Sequence, residues 1–179
     1  GLRVVAYDSQ GGMYAARLWW MLRWLGHGQV QVLDGGLAAW DAAGGALLAG
    51  PAVAQVPPPG ATLSLRPPLE QPLDFDSVLA GLGQADHLIV DARAPDRFRG
   101  ENEVLDPVGG HIPGAGNRFF RDNLLPSGAF KPAEQLRREW QAVMGQRQSA
   151  QLVHQCGSGV TACHNLLAMA VAGLDGGTL

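Results

Sequence analysis

Short β-branched runs and longer stretches with apolar residues at helical spacing take turns along this chain, and the pattern occurs twice. Residues 3–7, Arg-Val-Val-Ala-Tyr, read as a buried strand ended by Asp8-Ser9-Gln10-Gly11-Gly12. From Met13 to Leu25 an apolar, Trp-rich stretch has the length of a helix and closes at Gly26. Val30–Leu33 is a second short strand, followed by Asp34-Gly35-Gly36 and a short helix through Trp40. Strand, helix and strand in that order imply a parallel pair, because the helix supplies the crossover. Further along, Leu88-Ile89-Val90 reads as a central strand ending in Asp91-Ala92-Arg93, and residues 115–117 as another strand. Pro132 suits the first position of a helix to about Met144 that carries Leu136, Trp140 and Val143 on one face. Residues 151–155 form a strand, and Val160 to Gly173 a helix.

The two ends share one layout. "VVAYDSQGGMYAARLWWML" and "LVHQCGSGVTACHNLLAM" each give strand, Gly-containing polar loop and helix, with Asp8 where the second copy has Cys156. The expected fold class is α/β, two tandem domains with parallel sheets flanked by helices. Residues 1–48 read as the end of one domain and 73–179 as most of another, with Asp74 capping the first helix of the second. Residues 49–72 between them are a Pro-rich linker, where prolines 51, 57, 58, 59, 67, 68 and 72 oppose helix and sheet pairing alike. Both domains read as incomplete, and the full protein as longer.

Composition narrows the classes. Of 179 residues 46% are hydrophobic and 16% charged, enough for a packed core. The net charge of −3 gives no basic surplus for nucleic acid or an anionic membrane. No apolar run is long enough to cross a bilayer. Two cysteines exclude a disulfide scaffold and fit a reducing compartment, so a cytoplasmic location is expected. Lys131 is the only lysine, the other basic residues being arginines, whose planar fork of donors suits oxyanions.

The loop Cys156-Gly157-Ser158-Gly159-Val160-Thr161 joins a buried strand to a helix. Its glycines let successive N–H groups turn inward, and the helix start adds unpaired amides and a positive dipole end. A thiolate placed there is held by those donors, and the thiolate is the reactive form. The carboxyl ends of parallel strands are also where α/β sheets bind ligands. The bland alternative is a small core cysteine.

The segments "VDARAPDRFRG", "GHIPGAGN" and "CGSGVTACHNLLAM" resemble the catalytic domain of the rhodanese family, specifically the two-domain thiosulfate and 3-mercaptopyruvate sulfurtransferases. "YDSQGGMYAARLWWMLRWLG" with "VLDGGLAAW" is similar to the end of that family's inactive first domain. The resemblance implies a sulfurtransferase in which Cys156 takes sulfane sulfur from a small anionic donor, holds it as a persulfide and passes it to a thiophilic acceptor such as cyanide or a thiol. It implies that the amides of Gly157, Gly159, Val160 and Thr161 cradle that sulfur. Ser158 matches the loop serine of the mercaptopyruvate branch, and an ordinary loop-to-backbone bond explains it equally well. Arg97 matches the arginine that grips the donor's anionic group. That branch carries a second substrate arginine nine residues on, where this chain has Asp106. Arg118 is then the candidate to supply the missing charge.

Other residues read as structural. These are the strand-end pair Asp91 and Arg93, His111 among turn formers, Cys163 in the core, and Trp19, Trp20 and Trp24 as core and interdomain packing. His154 and His164 lack partners spaced for zinc. The thiolate makes the new bond itself, so no cofactor or metal is expected. A phosphatase of the same loop design needs an arginine six positions after the cysteine, and Ala162 stands there. Two alternatives stay open: a non-enzymatic rhodanese-like module, and a persulfide relay to a protein partner.

Overall fold

The computed structural model describes residues 2–50, 64–84 and 87–179. Prolines 51, 57, 58 and 59 lie outside the described residues. The first unit is β1 (Val4–Ala6), α1 (Met13–Trp24), β2 (Val30–Val32) and α2 (Gly36–Ala42). β1 and β2 pair in parallel with Val4 opposite Val30, and α1 crosses between them. The second unit begins with α3 (Phe75–Gly81), whose cap is the expected Asp74: its carboxylate accepts the Ser77 N–H at 2.7 Å. β3 (Leu88–Asp91), α4 (Pro95–Phe98) and β4 (Gly116–Asn117) follow, then α5 (Ala133–Met144), β5 (Leu152–Gln155) and α6 (Val160–Val171). β3 lies between β4 and β5 with all pairs parallel, which is the α/β class the sequence implied.

The repeat is geometric as well as textual. After α6 the chain returns beside β5, Thr178 bridging Val153 in parallel much as β2 lies beside β1. The tightest association between the units is α1 against α6. Ala16, Trp19 and Trp20 bury their side chains with Cys163, Leu166 and Leu167 in one apolar cluster. A second cluster fills the later unit, where Leu136 and Trp140 of α5 meet Val90, Leu152 and Met169. Pro132 precedes α5 as its cap rather than opening it.

Two expectations change. The first strand is shorter than residues 3–7 and is covered on one side only, since Val5 and Tyr7 are exposed while Ala6 is buried. Trp24 also differs from its neighbours: it is 42% exposed and stacks on Trp20 at 5.7 Å instead of entering the shared core. α4 was not legible at all, being a four-residue turn of helix that starts at a proline. Residues 66–70 run past the end of α1, with the Arg66 N–H bonded to the Leu25 carbonyl and Glu70 paired to Arg23 at 2.6 Å.

A buried polar network ties the units. His164 on α6 is fully buried, its Nε2 lies 3.0 Å from the Gly11 carbonyl of the first unit, and its Nδ1 faces the Asn123 amide at 3.4 Å. Asn123 donates to Asn165, which donates in turn to the Arg118 carbonyl. Burial pushes the His164 pKa down to about 4, against smaller upward pulls from Gly11 and Asp8. The neutral ring is therefore the folded form. A histidine whose pKa is depressed on folding leaves the protonated unfolded chain favoured as pH falls below the ordinary value of 6.5, the loss growing until about pH 4. The expected slope from this one group is about 1.4 kcal/mol per pH unit in that window. Urea midpoints at pH 6.5, 5.5 and 4.5 should fall less steeply in His164→Gln by that amount. Parallel pH profiles for the two proteins would remove His164 from the acid response.

Candidate functional site

Cys156 stands just past the end of β5, where the chain leaves the sheet and turns into α6. The turn needs Gly159, which caps α6 at a φ of +78° that side-chained residues rarely adopt. This bend aims the Gly159 N–H at the Cys156 sulfur at 3.1 Å. Cys156 is half-buried, and it forms one wall of a cavity of about 420 Å³ together with Gly157, Ser158, Val160 and Thr161. The opposite side is built by Arg93, Ala94 and Arg97 after β3, by Leu105 and Asp106, and by Phe119 and Phe120. Parallel pairing of β3 with β5, Asp91 opposite Gln155, is what brings these two loops to the same sheet edge.

Of the residues singled out from the sequence, Cys156, Gly157, Ser158, Val160, Thr161 and Arg97 meet in this cavity. Gly159 joins them through its amide. Arg118 does not. Its guanidinium donates to Glu139, to the Asp122 carbonyl at 3.1 Å and to Asn123 at 3.3 Å, and packs over the Trp140 ring. Hydrogen bonds from Arg118, Gln135 and Lys131 outweigh the opposing effect of burial and hold Glu139 down at about 2, so this ion pair persists across ordinary pH. Arg118 does not line the cavity beside Cys156, and its Nη2 is committed to these acceptors instead.

Among the charges around Arg97, Glu103 is the one that the sequence reading missed. Glu103, almost fully buried, takes the Arg97 Nε at 3.1 Å and Nη2 at 2.9 Å, a two-point grip. Glu103 also accepts the N–H groups of Leu105 and Asp106, and these donors with Arg97 pull its pKa down to about 2. The Asp106 carboxylate completes the group at 3.1 Å from Arg97 Nη2 and 3.7 Å from Arg93 Nη1. Arg93 itself forks the buried Asp91 carboxylate, at 2.7 Å from Nη2, and reaches the Gly110 carbonyl at 2.6 Å. The expected strand-end ion pair thus also ties in the loop of Glu103, Asp106 and Gly110. His111 packs its ring on Phe98 at 3.8 Å and its Nδ1 lies 2.7 Å from the Phe98 carbonyl. Glu103 carried no sequence signal of its own, being one acidic residue in a polar loop.

The first unit's counterpart of this loop is already filled. Asp8 Oδ1 accepts the N–H of Gln10 at 2.7 Å and Gly12 at 2.8 Å, and Oδ2 accepts Tyr14 and Ala15 at 2.9 Å each. Burial opposes ionisation of Asp8, but the four amide donors win and hold its carboxyl below the usual range. The same strand–loop–helix turn therefore presents amides to an acceptor in both units, four of them to a carboxylate in one and the Gly159 N–H to a sulfur atom in the other. Arg17 of α1 links them, its Nη1 lying 3.6 Å from the Cys163 sulfur and filling the space beside Gly159. Cys163 is fully buried, and burial pushes its thiol up to about 11.

Known proteins fit this picture. The family model described as rhodanese-like domain matches residues 1–43. The probable 3-mercaptopyruvate sulfurtransferase of Pseudomonas aeruginosa is 49% identical over 172 residues, which is 96% of this chain and 59% of that protein. Human 3-mercaptopyruvate sulfurtransferase is 39% identical over 174 residues, 95% of this chain and 57% of that one. The chain thus spans somewhat under three fifths of the length of these relatives. Among solved structures, 3-mercaptopyruvate sulfurtransferase from Leishmania major superimposes with a TM-score of 0.83 at 31% identity, over 99% of this chain and 49% of its own. The crystal structure of SseA from Escherichia coli, described as a 3-mercaptopyruvate sulfotransferase, gives 0.77 at 32% identity, covering 99% and 64%. Along almost its whole length this chain is similar in sequence to one such sulfurtransferase and in backbone course to two others, and its first 43 residues match the rhodanese-like domain.

Proposed function

We propose that this chain carries the sulfur-transfer step of a thiosulfate or 3-mercaptopyruvate sulfurtransferase, with residues 73–179 as the catalytic domain and 1–48 as the end of an inactive one, residues 49–72 linking them. The observation that carries the reading is Cys156 in an open cavity that Arg97 also lines, its sulfur held by the Gly159 amide. The related sulfurtransferases support the same chemistry.

With thiosulfate, the Cys156 thiolate attacks the outer sulfur, the S–S bond breaks, and sulfite leaves with the electron pair. With 3-mercaptopyruvate, the attack falls on the thiol sulfur and the C–S bond breaks. Its electrons pass to the methylene carbon, which takes a proton to give pyruvate. Either route leaves a Cys156 persulfide, whose charge the amides of Gly157, Gly159, Val160 and Thr161 stabilise. Cyanide or a thiol then attacks the outer sulfur and releases the Cys156 thiolate. Ser158 lines the cavity where a hydroxyl can bond the donor, and Arg97 is the cation for the donor's anionic group. No further group need supply bonds or electrons in this scheme. A protein acceptor fits equally on chemical grounds. Two free cysteines accord with a reducing, cytoplasmic setting. Among the described residues no helix is long and apolar enough to cross a membrane.

The test is intact mass after incubating the full-length protein with each donor. A gain of one sulfur atom, reversed by cyanide, is expected. No gain from either donor, with Cys156 reduced, would favour a binding module instead.

A further inference from the structure

We infer that Asp106 is a charge filter for this cavity, placed to disfavour dianionic ligands and to select those carrying one negative charge or none in excess. This rests on the reading that Cys156 is the reacting group. Five charges form one cluster at the cavity: Arg93, Arg97 and Asp106 line it, and Asp91 and Glu103 pair with the two arginines. Asp91 and Glu103 are almost fully buried and already claim the two guanidinium groups, with contacts of 2.7 and 2.9 Å. Those two pairs are neutral together. Asp106 is the fifth charge, and it leaves the cluster with one negative charge in excess.

Its position makes that excess felt at the sulfur. Asp106 lines the cavity with Arg97, its side chain 41% exposed against 5% for Glu103. One carboxylate oxygen is 4.0 Å from where a side chain on Gly157 would begin, the residue next to Cys156. The Glu103 carboxylate accepts the Leu105 and Asp106 amides and so fixes the loop that presents Asp106. An incoming anion that seeks Arg97 finds its Nη2 already shared by the Glu103 and Asp106 carboxylates. A ligand with one carboxylate can displace or share that position, whereas a dianion meets twice the repulsion. Coulomb's law makes the free-energy cost proportional to ligand charge, so the fold-effects multiply. Removing Asp106 should therefore speed or tighten a monoanion by about fivefold and a dianion by about 25-fold at low salt.

The full-length protein and Asp106→Asn should be compared with matched methanethiosulfonates that are cationic, neutral and anionic. Each reagent reports on Cys156 alone: its sulfur attacks the reagent's sulfenyl sulfur, a mixed disulfide forms, and methanesulfinate leaves. Cys163, fully buried, stays silent. In the variant the anionic reagent should react about fivefold faster and the cationic one about fivefold slower, with the neutral one unchanged. Asp106→Glu should restore the original order. The Michaelis constant for thiosulfate should fall by about 25-fold, with turnover changing far less. Equal changes for all three reagents would mean that the loop merely opened, and no change would mean that Asp106 sets no field at the sulfur; either overturns the filter. A charge-ordered response in a protein that gains no sulfur from either donor would sink sulfur transfer and leave the filter standing.

Discussion

Cys156→Ser should abolish sulfur uptake and lower sulfite release from thiosulfate by a factor on the order of 10⁴ or more, the scale on which enzymes lose turnover with their nucleophile. The reason is chemical and not steric. Serine fits the same turn, and its oxygen can accept the Gly159 amide that now lies 3.1 Å from the sulfur. The cradle, the cavity and the position of Arg97 should all survive. What disappears is a polarisable thiolate able to open an S–S bond and hold the sulfur reversibly. The other cysteine offers no substitute, because Cys163 is fully buried and burial pushes its thiol up to about 11, against a weaker opposite pull from Arg17. Intact mass and sulfite release measured on the same samples decide the matter. Sulfur found on Cys156→Ser after donor treatment would move the carrier elsewhere and end the assignment.

Asp91→Ala should cost about 3–5 kcal/mol of stability, a lowering of the melting temperature by roughly 10 °C for a chain of this size. Asp91 is fully buried at the end of β3 and receives both the side chain and the backbone N–H of Arg93, which is itself nearly buried. Removing the carboxylate strands a guanidinium whose charge has lost most of its water. Glu103 and the Gly110 carbonyl remain as partners, so the loss is less than that of an isolated buried charge. The paired variant Asp91→Ala with Arg93→Leu separates the two causes. Deleting both charges should recover much of the loss, since an apolar replacement for a buried pair is often close to neutral. Urea unfolding of the three proteins measures this. A cost below about 1 kcal/mol for Asp91→Ala would place the pair among ordinary surface ion pairs.

Both effects trace to one short stretch of sheet. β3 and β5 end level with each other, so the Asp91–Arg93 pair and the Cys156 turn emerge side by side. Arg97 reaches the cavity only because α4 is a single turn that starts at Pro95. The site is therefore as stable as the strand pair beneath it. That is why a stability residue and the reacting residue, distant along the chain, stand at the ends of adjacent strands.

The sequence by itself determined the repeating strand–loop–helix unit, the parallel sheets and the Cys156 loop. Each depends on local rules, periodicity in β1, α1, β5 and α6 and glycine at the turn, which short windows of residues express. It also placed Asp8 opposite Cys156, and the structure adds that four amides hold the Asp8 carboxylate. Tertiary structure alone decided which charges meet. Glu103 and Arg17 are ordinary polar letters in the sequence and Asp106 stood out only for replacing an expected arginine; the folded loops bring Glu103 and Asp106 onto Arg97 and Arg17 beside Gly159. Arg118 is the converse case, a cation near the right strand whose direction was set by Glu139 and Trp140. Secondary structure follows from nearest neighbours along the chain, but an electrostatic field is the sum over residues that are neighbours only in space.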